Sequence, residues 1–300
     1  MKETIRSLNM YSDTHAHPTS VEEAFAFCRK IALGHYENFT VGSILLPKEA
    51  LPHIYNLYAY CRLSDDISDE MHDPKLSMDF FGIWRKELQS CYDGTPKHPV
   101  FVALQNTIRT YNLPIEPFND LIYAFEMDQT VTRYPTFEKL LFYCKHSANP
   151  VGRLFLMIFG YRDEERQFLS DATCTALQLA NFWQDIPIDF QKGRIYIPQE
   201  DMARFGYSET SLSNHEYNEA FVHLMEFQVS RAKELFRKGL PLSQSLSGRI
   251  RLDVDCFSRG GMKILELIKK IDYNVLRHRP VLTKWDKASI FMTSALRLLF

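Results

Sequence analysis

Glycine and proline are scarce, at 12 and 14 residues in 300, about 9% together against roughly 12% in an average protein. So few turn formers favour long helices over many short strands. A basic excess is missing as well: 35 Lys and Arg stand against 37 Asp and Glu, for a net charge of −2. That excludes the usual electrostatic footprint of a nucleic-acid binder. The longest uninterrupted apolar run is Leu154–Phe159, far short of the ~20 residues that a membrane span requires. Met1–Met10 carries charges and lacks the apolar core of a signal peptide. The six cysteines, at positions 28, 61, 91, 144, 174 and 256, form no CxxC pair for a metal or redox centre. Scattered singly, they read as reduced core residues of a cytoplasmic protein. There is no GxGxxG fingerprint, no internal repeat and no Gly/Ser-rich linker.

The chain has 45% apolar and 24% charged residues, a globular composition. Its 22 Phe, 15 Tyr and 3 Trp are enough to line a large apolar cavity as well as fill a core. Apolar positions recur mostly at three and four. Val21, Ala24, Phe25, Cys28, Ile31 and Ala32 form one stripe of a helix over Val21–Leu33. The same spacing predicts helices near Glu49–Met71, Met78–Tyr92, Pro99–Tyr111, Pro114–Thr130, Thr136–Phe159 and Glu164–Phe190. Three more fall near Glu216–Gly239, Leu242–Val275 and Lys284–Leu299. Pro114 and Pro117 suit a first helical turn. No period-2 run is bounded by hairpin turns. The expectation is an all-α protein, a single domain over residues 1–300 with about ten helices. The apolar C-terminal stretch Ile290–Phe300, with Arg297 inside it, either caps the core or touches a membrane, and the core is the expectation.

Two acidic constellations stand out. Asp65-Asp66-Ile67-Ser68-Asp69-Glu70 places Asp65 and Asp69 about 40° apart on one helix face, and Asp66 and Glu70 on the adjoining one. Like charges at this spacing destabilise a helix, so the cluster is either solvated or held by a cation. Tyr55, Leu57, Tyr58, Ala59, Tyr60, Cys61 and Leu63 before it are apolar almost all round, as in a buried helix. Asn181, Asp185 and Asp189 follow one another at i, i+4 and i+8, with Gln178 on the same face and apolar residues between. Hard oxygen stripes of this kind suit Mg²⁺, which takes a few carboxylates and completes its shell with water and substrate phosphate. A single stripe could equally be a buried hydrogen-bond network; two on two apolar helices point to a cation. Pro187 lacks the N–H for the Trp183 carbonyl and should kink or end the second helix.

These residues resemble the squalene/phytoene synthase family of head-to-head prenyl-diphosphate enzymes. The likeness runs almost end to end: LLP at Leu45–Pro47, YAYCRLSDDISDE at Tyr58–Glu70, YCKHSANPVG at Tyr143–Gly152, and QLANFWQDIPIDFQKGRIYIP at Gln178–Pro198. The resemblance implies an isoprenoid (terpenoid) synthase fold, with two Asp-rich helices facing each other across a central cavity and binding Mg²⁺–diphosphate. It marks Asp65 and Asp69 as the first metal pair and Asn181, Asp185 and Asp189 as the second set. It places Arg62, Gln178, Arg194 and Arg279 at the diphosphate and adds Tyr143 to the catalytic candidates. Aromatic candidates for stabilising a carbocation by cation–π attraction are Phe39, Tyr58, Tyr143, Phe155, Phe182 and Trp183, although such residues on buried helices are also ordinary core.

One segment departs from the commoner members. Where phytoene and presqualene diphosphate synthases carry a serine pair, this chain reads His35-Tyr36-Glu37-Asn38-Phe39, with Tyr36 and Asn38 at the serine positions. HYENF resembles the bacterial hopanoid-pathway subgroup that makes hydroxysqualene from presqualene diphosphate. In that setting Tyr36 and Asn38 flank the diphosphate, and His35 positions water or accepts its proton. The expected reaction is Mg²⁺-dependent conversion of presqualene diphosphate and water to hydroxysqualene and diphosphate; the alternative is head-to-head condensation of two prenyl diphosphates. The long apolar chains of such a substrate suggest peripheral contact with the inner membrane and handover to other enzymes of the squalene/hopanoid pathway. No nucleic-acid partner is expected.

Overall fold

The structure is a computed structural model that describes residues 20–34, 46–70 and 73–297. Its elements are helices, and the only β pairing among the described residues is an isolated parallel bridge between Arg133 and Ile195. The chain groups into two compact units, residues 1–130 with 153–162, and residues 131–152 with 163–300.

The first unit contains α1 (Val21–Gly34), α2 (Leu51–Glu70), α3 (Pro74–Asp93), α4 (Pro99–Tyr111) and α5 (Glu116–Met127). Local chemistry sets their ends. Asp73 caps α3 by accepting from the Lys75 and Leu76 amides, with Pro74 in the first turn. The His98 ring caps α4 ahead of Pro99, and Asn112 stops it in the left-handed region at φ 48°. Helix α2 packs against α1, α3, α4 and α5, as its all-round apolar sequence predicts. The fully buried Tyr60 ring meets Phe118 edge-on at 5.5 Å, and its hydroxyl donates to the Phe118 carbonyl at 2.9 Å. Trp84 packs against Phe101 at 4.7 Å in the same core.

The second unit contains α6 (Phe137–Ser147), the start of α7 (Asn149–Ile158), α8 (Glu164–Gln184), α9 (Ile186–Gln191), α10 (Gln199–Arg204), α11 (Glu209–Ser213), α12 (Glu219–Gly239), α13 (Pro241–Ser245), α14 (Gly248–Lys270) and α15 (Lys284–Leu296). From Arg153 onward α7 belongs to the first unit. Helix α8 packs on α12 and α14. Glycines permit the closest approaches: a Cβ on Gly239 would lie 2.1 Å from Thr173 Oγ1, and one on Gly261 2.2 Å from Phe236 Cζ and 2.8 Å from Leu177 Cδ2.

Three of the long helices expected from periodicity are divided. Thr136–Phe159 breaks at Ala148, just before Pro150. Glu164–Phe190 breaks at Asp185, two residues ahead of Pro187, which withholds its N–H from the Trp183 carbonyl. Leu242–Val275 breaks at Leu246–Ser247, ahead of Gly248 at φ 62°. The C-terminal stretch divides by face: on α15, Ile290 and Phe291 are half-buried beside the buried Ser294, whereas Met292 and Leu296, with Trp285 before them, are exposed.

Candidate functional site

In the first unit the candidate residues lie on the last two turns of α2. One face of this stretch is anchored. Ser64 donates to the Tyr60 carbonyl at 2.7 Å and receives the Trp84 indole N–H at 2.9 Å. Ser68 receives the Gln129 amide at 2.8 Å, and Ser77 donates to the Ile67 carbonyl at 3.2 Å. The face about 100° away carries Asp65 and Asp69, both partly accessible. Arg62 answers the repulsion expected among these carboxylates: its guanidinium lies 2.6 Å from Asp66 and 3.3 Å from Asp65. Asp66 is buried and Asp65 is not. Arg62 therefore neutralises the buried acid, while Asp65 and Asp69 keep access to solvent. Burial pushes the adjacent Cys61 thiol up to about 12, so it is no nucleophile. Burial also raises the phenol of the half-buried Tyr58.

In the second unit the break at Asp185 keeps the oxygen-rich stripe together. The Asp185 amide donates to the Asn181 carbonyl and the Asp189 amide to the Asp185 carbonyl, both at 2.9 Å. The three residues therefore stack at i, i+4 and i+8 across the junction of α8 and α9. Asn181 is exposed, Gln178 and Asp189 are half-buried, and Asp185 is buried. Asp185 is also engaged: Arg279 Nε lies 2.5 Å from Oδ1 and its Nη2 3.1 Å from Oδ2, a two-pronged ion pair. The neighbouring Gln184 amide donates to the Pro280 carbonyl, fixing the segment that carries Arg279. Sequence reading marked Asp185 and Arg279 separately and did not join them.

The Lys192–Pro198 segment is held in place. Gly193 adopts φ 78°, which suits glycine. Its carbonyl accepts from Arg133 at 2.6 Å, Arg133 Nε pairs with Glu209 at 2.9 Å, and the Ile195 amide donates to the Thr132 carbonyl at 3.0 Å. The Arg194 amide donates to the Asp189 carbonyl at 2.9 Å, tying this loop to the acidic stripe. Tyr196 stacks on Phe182 with centroids 3.7 Å apart and planes 7° from parallel. Tyr143 lies 6.2 Å from Phe182 and 5.6 Å from Tyr134, inside this buried ring cluster. Trp183 is wholly buried. Phe155 is half-buried beside Phe159 in the first unit. His35, Tyr36, Asn38 and Phe39 lie outside the described residues.

The profile of the family described as squalene/phytoene synthase matches residues 33–286. Among curated proteins, 15-cis-phytoene synthase of Synechococcus elongatus is 30% identical over 290 residues, covering 93% of this chain and 94% of its own. The 15-cis-phytoene synthase of Synechocystis is 31% identical over 272 residues, with 87% and 81% covered. Among solved structures, squalene synthase HpnC from Alicyclobacillus acidocaldarius superposes with a TM-score of 0.81 at 41% identity, covering 86% of this chain and 97% of that one. A ligand-bound dehydrosqualene synthase, at 23% identity and TM-score 0.84 over 93% and 98% of the chains, shares the fold.

Proposed function

Because the chain belongs to the squalene/phytoene synthase family and is an enzyme of it, we propose that it converts presqualene diphosphate and water to hydroxysqualene and diphosphate in a Mg²⁺-dependent reaction. The 41% identity to a squalene synthase, against about 30% to the phytoene synthases, favours a squalene-type over a phytoene-type product. The observation that carries the choice of hydroxysqualene formation is the HYENF segment at residues 35–39, where the commoner members carry a serine pair.

Asp65 and Asp69 in the first unit, and Asn181, Asp185 and Asp189 in the second, are the residues that would hold Mg²⁺. The donor chemistry fits. All are hard oxygen ligands. Oxygen donors of this kind suit Mg²⁺, which is held by one or two carboxylates and completes its shell with water and phosphate. Bound Mg²⁺ supplies Lewis-acid neutralisation of the leaving diphosphate.

The chain's own residues do the rest. Arg279 exchanges its Asp185 partner for a phosphate oxygen, which frees the Asp185 carboxylate. Arg62 and Arg194 add positive charge at the diphosphate, with Gln178, Tyr36 and Asn38 as hydrogen-bond partners. The carbon–oxygen bond to diphosphate breaks, and its electron pair leaves with the diphosphate. Aromatic walls, Tyr143 among them, face the resulting cation without reacting with it. The cation rearranges with cleavage of a bond of the substrate's cyclopropane ring, a water oxygen then bonds to the rearranged cation, and the proton it loses passes to His35. The product is a C30 alcohol, and no reductant is consumed.

The second reading is head-to-head condensation of two prenyl diphosphates, favoured by the likeness to phytoene synthases over 93% of the chain. Purified protein with Mg²⁺ is given either presqualene diphosphate or farnesyl diphosphate, with and without NADPH, and the products are identified. The first reading expects a hydroxylated C30 product from presqualene diphosphate without NADPH, and farnesyl diphosphate left largely untouched. Efficient condensation of farnesyl diphosphate by the protein alone overturns it in favour of the second.

A further inference from the structure

Arg194 stands between two peptide groups that the rest of the second unit holds. Its own amide donates to the Asp189 carbonyl at 2.9 Å, and the next amide, of Ile195, donates to the Thr132 carbonyl at 3.0 Å. The carbonyl before it, of Gly193, accepts from Arg133 Nη1 at 2.6 Å. Gly193 itself turns the chain at φ 78°, with its amide on the Phe190 carbonyl at 2.9 Å. The peptide planes on both sides of Arg194 are therefore fixed, and its backbone cannot swing without breaking a hydrogen bond. Two of the bonds that flank it are backbone to backbone. The one on the Gly193 side comes from a side chain, Arg133.

Arg133 is held in turn. Nη1 also donates to the Thr132 carbonyl at 2.8 Å, and Nε donates to Glu209 at 2.9 Å. Glu209 is the first residue of α11, behind the Ser208 cap. The planar guanidinium fork delivers Nε and Nη1 in two set directions at once, which the single ammonium of a lysine does not. At 29% and 45% side-chain exposure, Arg133 and Glu209 form a surface pair that adds little to stability. What the pair does hold is the direction of one carbonyl, and through it the root of the Arg194 side chain. Arg194 is half-buried and lines a small cleft together with Asp189 of the acidic stripe, Phe182 and Tyr196.

We propose that Arg133, set by Glu209, is a positioning residue for Arg194: it locks the Gly193 carbonyl so that Arg194 meets the substrate's diphosphate in one orientation, fixed before the substrate arrives. This rests on the assignment of Arg194 to the diphosphate made above. Donors that are oriented in advance act on an anion without reorganising when it binds, and small misplacements of such a group are costly. Arg133 does not reach the anion with the atoms that do this work, because Nη1 and Nε are committed to protein acceptors.

A double-mutant cycle separates positioning from charge and from general loop stability. Binding of inorganic diphosphate to the full-length protein, with Mg²⁺ present, is measured by titration calorimetry. Arg194→Gln should weaken binding about 30-fold and Arg133→Gln about tenfold, and the double variant should bind no more weakly than Arg194→Gln alone, within about twofold. Arg133→Lys keeps the charge and loses the fork, so it should stay at least about fivefold weaker than the parent. Glu209→Ala changes an exposed residue and leaves Arg133 in place; it should weaken binding about threefold in the parent and not at all in the Arg194→Gln background. Urea midpoints verify that each variant folds. Three results would each overturn the proposal: parent affinity in Arg133→Gln, parent affinity in Arg133→Lys, or an Arg133→Gln loss that is equally large with and without Arg194. If Arg194→Gln itself binds diphosphate as the parent does, the assignment of Arg194 is wrong and the proposal falls with it; if Arg194→Gln binds weakly and Arg133→Gln normally, the positioning role alone fails. The probe is diphosphate rather than a prenyl substrate, so these outcomes do not depend on which product the enzyme makes.

Discussion

Asp253 offers a sharp test of the packing around α14. Its side chain is 1% exposed, and neither carboxyl oxygen has a hydrogen-bond partner among the described residues. Burial without a partner penalises the charged form and pushes the group up to about 8, from an ordinary 3.8. Between those two values the native protein keeps a proton that the unfolded chain has released. Stability is therefore greatest below about pH 4 and falls as pH rises toward 8. Each pH unit costs about 1.4 kcal/mol, so the penalty reaches ~4 kcal/mol at pH 7. Asp253→Asn removes the ionisation but leaves a buried amide with no partner, at a cost of ~1 kcal/mol at every pH. The variant should be slightly less stable than the parent near pH 4 and ~3 kcal/mol more stable at pH 7. Urea denaturation of both proteins across that range gives the difference directly, and every other titrating group cancels in it. A difference that stays constant from pH 4.5 to pH 7 would show that Asp253 ionises normally and is solvated or paired, and the reasoning would fail.

Asp65→Ala or Asp185→Ala is expected to lower turnover by at least ~100-fold while the protein stays folded; for Asp65 the change removes one partly accessible carboxylate from a repelling cluster. For Asp185→Ala the broken partner is Arg279, 46% exposed at its side chain, so the stability cost should stay near ~1 kcal/mol; near-normal turnover with Mg²⁺ in either variant contradicts the metal assignment. EDTA should stop product formation and excess Mg²⁺ should restore it, while the thermal melt of the unliganded protein stays where it was. Gly261→Ala puts a methyl 2.2 Å from Phe236 Cζ and should destabilise by ~1–3 kcal/mol through overpacking of α14 against α12 and α8; an unchanged urea midpoint would mean that the helices separate without cost.

What was legible in the sequence divides along physical lines. Pro99–Tyr111 is found with the bounds that its pattern predicts, because both ends are set locally, by Pro99 in the first turn and Asn112 in the left-handed region. The acidic stripes are legible for the same reason, since i, i+4 spacing is a property of one helix. The division of the other long periodic runs was partly visible: Pro187 was marked as a breaker, whereas Pro150 and Gly248 carry similar signals that periodicity overrode. Invisible were the pairings that depend on tertiary approach. Arg279 reaches Asp185 across 94 residues, and Trp84 reaches Ser64 across 20; no spacing rule joins them. Tyr143 was equally opaque, because a ring in a buried cluster and a ring facing a cation have the same sequence signature.

Helix α15 shows why periodicity alone cannot assign a surface. Two apolar sets satisfy the period, Trp285, Met292 and Leu296 on one face and Ile290 and Phe291 on the other, so either face can turn inward. Burying the Trp285 stripe would remove three large apolar side chains from water, each worth roughly 1.5–3 kcal/mol, so turning it inward is the default from sequence. It stays outward where the opposite face is already committed. Here Thr283 and Asp286 cap the helix, Lys263 approaches Asp286, and Arg251 holds the carbonyl of Arg297 at the far end. These contacts fix both ends of α15 with Ile290, Phe291 and Ser294 inward, and rotating the Trp285 stripe into the core would break them.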